Sequence, residues 1–225
     1  MIFLIRHGES EANAGLPTSC PESGGLTERG REQAQNVAVF LSYYPLELII
    51  TSPYRRAIQT AEPTSFVFHN TPERLITEEV QPVQEFTYLE PERWTCSTPA
   101  QRRPEVERYW QKADPEDADG LGAESFKDFI ERVRKFLKRL EDVQEKYENV
   151  AIFSHEQFIN AALWLIDRKP AGISSTTMRE FRTYLDNNHI PNGAIVQLQF
   201  SPWDNCWKHE VVTAHLKNRT PVAAD

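Results

Sequence analysis

Short apolar runs of strand length alternate along this chain with longer stretches of helical periodicity, and that alternation leaves few folds open to it. Residues 2–5 form a run fit for a buried strand. Leu26-Thr27 opens a helix, with Thr27 as N-cap and Ala34, Val37, Ala38 and Leu41 on one face. Residues 46–50 read as a second strand, stopped by Thr51-Ser52-Pro53. Pro53 suits the first turn of a helix that turns Ala57, Ile58 and Ala61 inward. Phe126, Phe129, Ile130, Val133, Leu137, Leu140 and Tyr147 mark a long amphipathic helix. Residues 150–153 read as a third strand, followed by a helix over about 156–167, and 194–200 and 207–212 read as closing strands. Strands alternating with helices predict an α/β fold: a mostly parallel sheet flanked by helices on both faces, in three layers.

The rhythm breaks over about residues 86–122. That stretch holds Pro91, Pro99, Pro104 and Pro115, the aromatics Phe86, Tyr88, Trp94, Tyr109 and Trp110, and Arg93, Arg102, Arg103 and Arg108. It reads as an insertion in a single domain spanning 1–225, with one short helix near 104–112, of the kind that serves as a lid or binding loop. Its aromatics and arginines serve either packing and surface or substrate specificity. The tail after about Asn218 reads as frayed.

Composition excludes several classes. Of 225 residues, 40% are hydrophobic and 26% charged, which excludes a disordered chain. A core of this size needs no disulfide or metal staple. The net charge of −8 argues against a nucleic-acid partner, which needs a basic face. The longest apolar run, 161–166, is six residues, against roughly 20 for a membrane span. The apolar N-terminal run has no basic segment before it and reads as a strand rather than a signal peptide. Cys20, Cys96 and Cys206 are odd in number and far apart, which suggests neither a zinc ribbon nor a disulfide framework and fits a reducing cytoplasm.

In an open α/β sheet, ligands bind beyond the carboxyl ends of the strands. After the first strand come Arg6, His7, Gly8, Glu9, Ser10 and then Asn13; after the second, Ser52-Pro53-Tyr54-Arg55-Arg56; after the third, Ser154-His155. A phosphate monoester is close to a dianion whose oxygens match an arginine fork, so Arg6 and Arg56 would neutralise and orient it. His7, neutral at pH 7, would attack phosphorus through a ring nitrogen. Gly8 would let backbone approach the phosphate closely. His155, if protonated, adds a donor to the equatorial oxygens, and a carboxylic acid at the pocket edge could protonate the leaving alkoxide.

Arg6-His7-Gly8-Glu9-Ser10 with Asn13 resembles the N-terminal signature of the histidine phosphatase superfamily, the phosphoglycerate mutase-like proteins. Leu26-Thr27-Glu28-Arg29-Gly30, Ser52-Pro53-Tyr54-Arg55-Arg56-Ala57 with Gln59-Thr60-Ala61, Gln84-Glu85-Phe86, Gly122-Ala123-Glu124-Ser125-Phe126 and Phe153-Ser154-His155 resemble further family segments in the family's order. The resemblance spans roughly residues 1–200 and implies a phosphoglycerate mutase-like fold. It makes His7 the nucleophile that becomes phosphorylated, and Arg6, Arg56 (not Arg55) and His155 the phosphate pocket, with a hydrogen bond from Asn13. It makes Glu85 the proton donor, with Glu78, Glu79 and Glu90 as rivals. It implies a small phosphorylated substrate, inorganic phosphate as product, and no cofactor or metal. Asn13 read by itself is equally an Asx-turn residue.

Two departures stand out. The family usually has glycine after the second histidine, where this chain has Glu156. A carboxylate there repels a dianion if it faces the pocket; otherwise it points away or holds His155 protonated. Tyr88, three residues after Glu85, and Arg102-Arg103 echo a mutase, but the following Pro-rich run is reduced to Pro104. A phosphatase is therefore favoured, with a phosphoglycerate mutase or a non-catalytic phospho-ligand binding module as alternatives. His69, His189, His209 and His215 receive no role. His155-Glu156 is not a zincin motif, because position 159 is isoleucine. Asn218-Arg219-Thr220 is a chance sequon.

Overall fold

A computed structural model describes residues 1–68, 73–76, 83–204 and 206–216. Its strands are β1 (Ile2–Arg6), β2 (Leu48–Thr51), β3 (Glu73–Ile76), β4 (Val150–Ser154), β5 (Ile195–Ser201) and β6 (Cys206–Val212). Its helices are α1 (Glu28–Leu41), α2 (Arg55–Val67), α3 (Pro99–Lys112), α4 (Phe126–Lys146), α5 (Glu156–Arg168) and α6 (Ser175–Asn187). The strand order is β3-β2-β4-β1-β5-β6. The β1–β4, β2–β4 and β2–β3 pairs are parallel, whereas β5 runs antiparallel to β1 and β6 antiparallel to β5. The sheet is thus mostly, not wholly, parallel.

Every residue of β1 and β4 is buried, as a sheet covered on both faces requires. The two-residue period sorts them. Ile2, Leu4, Val150 and Ile152 pack with Phe129, Val133, Phe158, Trp164 and Phe181 of α4, α5 and α6. Phe3, Ile5, Ala151 and Phe153 pack with Val37, Leu41 and Ala61 of α1 and α2. These are the expected three layers.

Local chemistry sets most boundaries. The Thr27 and Ser125 side chains accept from backbone N–H groups in the first turns of α1 and α4. Two boundaries differ from the sequence reading. Pro53 lies outside α2, which starts at Arg55; the Ser52 hydroxyl takes the Tyr54 N–H instead. α3 begins at Pro99, because Thr98 and Gln101 form a capping box and a proline at N1 gives up only an orphan N–H. β3 and α6 are not among the elements read from the sequence, although Met178, Phe181 and Leu185 recur at helical spacing behind a Ser174–Thr177 capping box. Among the described residues, no helix is long and apolar enough to cross a membrane.

The 86–122 segment is tied into the core. Phe86 stacks on Phe129 at 4.2 Å, Tyr88 stacks on Tyr109 at 4.7 Å, and Tyr109 and Trp110 are buried. Packing is therefore the role of most of its aromatics. Glu78, Glu79, His69 and the tail with its Asn218 sequon lie outside the described residues.

Gly8 and Gly30 let the loop after β1 press on α1. A Cβ on Gly8 would meet the Gly30 carbonyl oxygen at 2.4 Å, and one on Gly30 would meet the Glu9 carbonyl oxygen at 2.0 Å. One close approach that Gly8 permits is to Gly30. Gly30→Ala is expected to destabilise the fold by about 1–3 kcal/mol, read from urea melts, since backbone on both sides must move. An unchanged midpoint would refute this contact.

Candidate active site

The parallel register builds the site. Arg6 sits opposite Ser154, and Thr51 opposite Phe153, so β1, β2 and β4 end level with one another. His7 N–H donates to Ser154 O at 3.0 Å and Ser52 N–H to Phe153 O at 2.9 Å, which extends the register past the strand ends. Arg56 arrives in the first turn of α2, and Glu85 arrives on the chain that leads into the 86–122 segment.

These side chains converge. His7 Nδ1–H donates to the Gly8 carbonyl at 2.7 Å, leaving Nε2 as the lone-pair nitrogen. Arg56 spreads its donors: Nε to His7 Nε2 at 3.2 Å, Nη2 to Glu85 Oε2 at 3.1 Å, and Nη1 to the Pro21 carbonyl. The His155 ring lies 5.2 Å from that of His7. Its Nε2 contacts the Ser52 hydroxyl at 2.8 Å, and its Nδ1 lies 3.2 Å from Glu85 Oε2, a close contact rather than a regular hydrogen bond. Arg6, His7, Arg56 and His155 are 6%, 3%, 7% and 0% exposed, so bulk water does not screen them.

Burial dominates their proton affinities. It holds the His7 imidazole well below its ordinary value, with Arg56, His155 and Arg6 adding repulsion. His7 is therefore neutral over the physiological range. Burial lowers His155 to about 4, against the pull of Glu85. Burial by itself would raise the Glu85 carboxyl, but the close contact with His155 and the charge of Arg56 outweigh it and hold it well below the usual carboxylate range. The pocket thus holds neutral histidines and an ionised Glu85. Because His7 and His155 take up protons more readily unfolded than folded, stability is lost as pH falls from about 6.5 towards 4. A melting temperature that stays flat over that range would contradict their burial.

Arg6 Nη1 lies 2.8 Å from Glu156 Oε2 and also donates to the Ile190 carbonyl. Glu156 therefore neither lines the pocket nor holds His155 protonated; the carboxylate beside His155 is that of Glu85. Asn13 Oδ1 accepts from the Ser10 hydroxyl at 3.0 Å and from Asn192 Nδ2 at 3.0 Å, which leaves its amide N–H groups at the cavity wall. Asn13 thus makes the turn contact with Ser10 and also lines the cavity.

His7, Asn13, Arg56 and Glu85 open onto a cavity of about 230 Å³ whose outer wall includes Tyr88, Trp94 and Arg102. Arg102 is anchored there through Nη1 to Ser97 O at 2.8 Å. Arg103 is not part of this wall: it is exposed and pairs with Glu107 at 2.9 Å, one helical turn away. Arg55 likewise stays outside, exposed. Glu90 lines the cavity, but it is Glu85 that touches Arg56 and His155. His7, Glu85 and His155 place ligand atoms within 4.8 Å of one another, a spacing a metal ion could bridge. Arg56 already donates to two of them, so a metal would meet a fixed cation at that point.

The sequence reading assigned no role to Ser52, which orients His155, or to Asn192, which ties His7 O to Asn13. Ser52 had a signal, since it heads the Ser-Pro-Tyr-Arg-Arg segment; Asn192 sits in a Pro-Asn-Gly turn that advertises nothing more. His189, set aside on the sequence, contacts Glu156 at 2.6 Å.

Comparison with known proteins points the same way. The chain is 30% identical over 192 residues to an adenosylcobalamin/α-ribazole phosphatase of Escherichia coli K12, covering 80% of this chain and 84% of that protein. A shorter match, 36% identical over 78 residues, covers 33% of this chain and 39% of a 2,3-bisphosphoglycerate-dependent phosphoglycerate mutase of Thermoplasma acidophilum. The crystal structure of the α-ribazole phosphatase from Shigella flexneri superposes with a TM-score of 0.69 over 95% of this chain and 96% of that one, at 24% identity, and so shares its fold. The family model for branch 1 of the histidine phosphatases matches residues 2–202, and with the strand-end histidines and arginines already in place, the chain belongs to the histidine phosphatase superfamily.

Proposed function

We propose that this chain hydrolyses small phosphorylated metabolites through a phosphohistidine formed on His7 Nε2. Phosphatase is the activity named for the relative that matches most of the chain, whereas the mutase matches only a third of it. The observation that supports the assignment to these residues is the convergence of His7 Nε2, Arg56 and Glu85 at one cavity, beside buried Arg6 and His155.

The geometry supports a two-step route. A phosphate dianion entering the cavity takes over the Arg56 donor that now faces Nε2 and frees the lone pair. Glu85 takes up a proton from solvent as the dianion enters; the Nε2–P bond then forms as the P–O bond to the leaving group breaks, and Glu85 gives that proton to the departing oxygen. Water then attacks phosphorus, its proton passes to Glu85, the P–N bond breaks and inorganic phosphate leaves. Glu85 is ionised beside Arg56 and His155, so this role requires the incoming dianion to raise its proton affinity. Asn13 holds one phosphate oxygen, and Tyr88 and Arg102 face the leaving group. The whole of 1–225 acts as one cytoplasmic catalytic domain.

Wild-type protein mixed with a labelled phosphomonoester and quenched in alkali is expected to retain an acid-labile phosphoryl group; no retained label would overturn the reading. Turnover of p-nitrophenyl phosphate separates the enzyme from a binding module, and interconversion of 3- and 2-phosphoglycerate would establish the mutase instead. Glu85→Gln is expected to slow hydrolysis of alkyl phosphates by about 10²–10⁴-fold, yet p-nitrophenyl phosphate by under about tenfold, because p-nitrophenolate leaves without a proton. Equal losses on both substrates would remove Glu85 from the acid role.

A further inference from the structure

Glu156 opens α5, directly after His155, and its carboxylate serves a partner on each oxygen. Oε2 pairs with Arg6 Nη1 at 2.8 Å; Oε1 accepts from the Ile190 N–H at 3.1 Å and contacts His189 Nδ1 at 2.6 Å. Arg6 Nη1 also donates to the Ile190 carbonyl, so one residue ties the end of β1 to the 189–190 turn. Only a carboxylate can accept on both sides; a glutamine offers a single acceptor oxygen. Meanwhile Arg6 Nε is buried with no protein partner, so the guanidinium keeps hydrogen-bonding capacity that the protein does not use.

Charge explains what this arrangement achieves. Two buried arginines around one dianion bind phosphate tightly, and phosphate is the product that must leave. Each arginine has its own carboxylate: Arg56 has Glu85, and Arg6 has Glu156. Glu85 cycles its proton on the proposed route, whereas Glu156, like the Arg6 it pairs with, is not among the residues that line the cavity and acts from behind its wall.

We propose that Glu156 is a positioning residue that fixes the Arg6 guanidinium by one end and offsets its charge, so that phosphate is oriented by Arg6 without being trapped. The inference rests on the phosphomonoesterase reading of the pocket and adds to it a control over product release.

Titration calorimetry with inorganic phosphate tests it on the full chain. Glu156→Gln is expected to bind phosphate at least about threefold tighter than wild type, with kcat and KM falling together, since unmasking a buried cation strengthens its pull on the dianion. Glu156→Asp, which keeps the charge, is expected to stay within about twofold of wild type. Glu156→Gln made in Arg6→Ala protein is expected to leave phosphate affinity within about twofold of Arg6→Ala, because the effect acts through Arg6. Unchanged or weaker phosphate binding by Glu156→Gln overturns the proposal. So does an equal gain in Glu156→Asp, or the same gain without Arg6. A wild-type protein that binds no phosphate would overturn the pocket reading itself, and the proposal with it.

Discussion

Replacing His7 with alanine is expected to lower kcat/KM on p-nitrophenyl phosphate by at least about 10³-fold and to abolish the label retained after alkaline quench. The size of the effect follows from the absence of a substitute. His7 Nδ1 is committed to the Gly8 carbonyl, so the ring presents Nε2 and no other nitrogen. His155 cannot take over: Ser52 holds its Nε2 and Glu85 crowds its Nδ1. A thermal melt of the variant separates loss of the nucleophile from loss of fold, since His7 is 3% exposed and its removal leaves a cavity. Retained label in the alanine variant would move the nucleophile elsewhere.

Arg56→Ala is expected to cost about 10³-fold in kcat/KM, and Arg56→Lys nearly as much. All three guanidinium nitrogens are engaged, each with a different partner. Nε faces His7, Nη2 holds Glu85, and Nη1 is anchored on the Pro21 carbonyl. A lysine ammonium cannot reproduce that fork. Arg55→Ala provides the internal control. Its guanidinium reaches the Ser23 carbonyl at 3.5 Å, at the protein surface, and activity is expected to stay within about threefold of wild type. Steady-state kinetics on the two variants decides the matter; equal losses would show that the cavity draws on both side chains.

Much of this molecule was legible in one dimension. The strand–helix alternation predicted the layers, because residues 2–5 and 150–153 are apolar without a break and only a sheet buried on both faces can use such strands. Thr27 announced α1 by its cap. Local signals said less where prolines crowd the chain. The 86–122 segment looked loop-like for its prolines, yet Pro99 begins α3 and Phe86 stacks on Phe129, a contact with a residue far along the chain. Arg103 had the same composition signal as Arg102, and only its place on α3 sends it to Glu107 instead of the cavity.

The amino-acid order by itself determined which groups could do chemistry, because residue type and position just past a strand are local properties: His7 after β1, Arg56 after β2, His155 after β4. Only tertiary structure decided what those groups are. Burial and the approach of Arg56 set the imidazoles neutral and Glu85 ionised, and the parallel register brought strand ends about 150 residues apart to adjacent positions. Glu156 shows the difference most clearly. As a letter after His155 it threatened an incoming dianion; in three dimensions the turn at 189–190 draws its carboxylate onto Arg6, because a half-buried anion settles where two donors and a cation already converge.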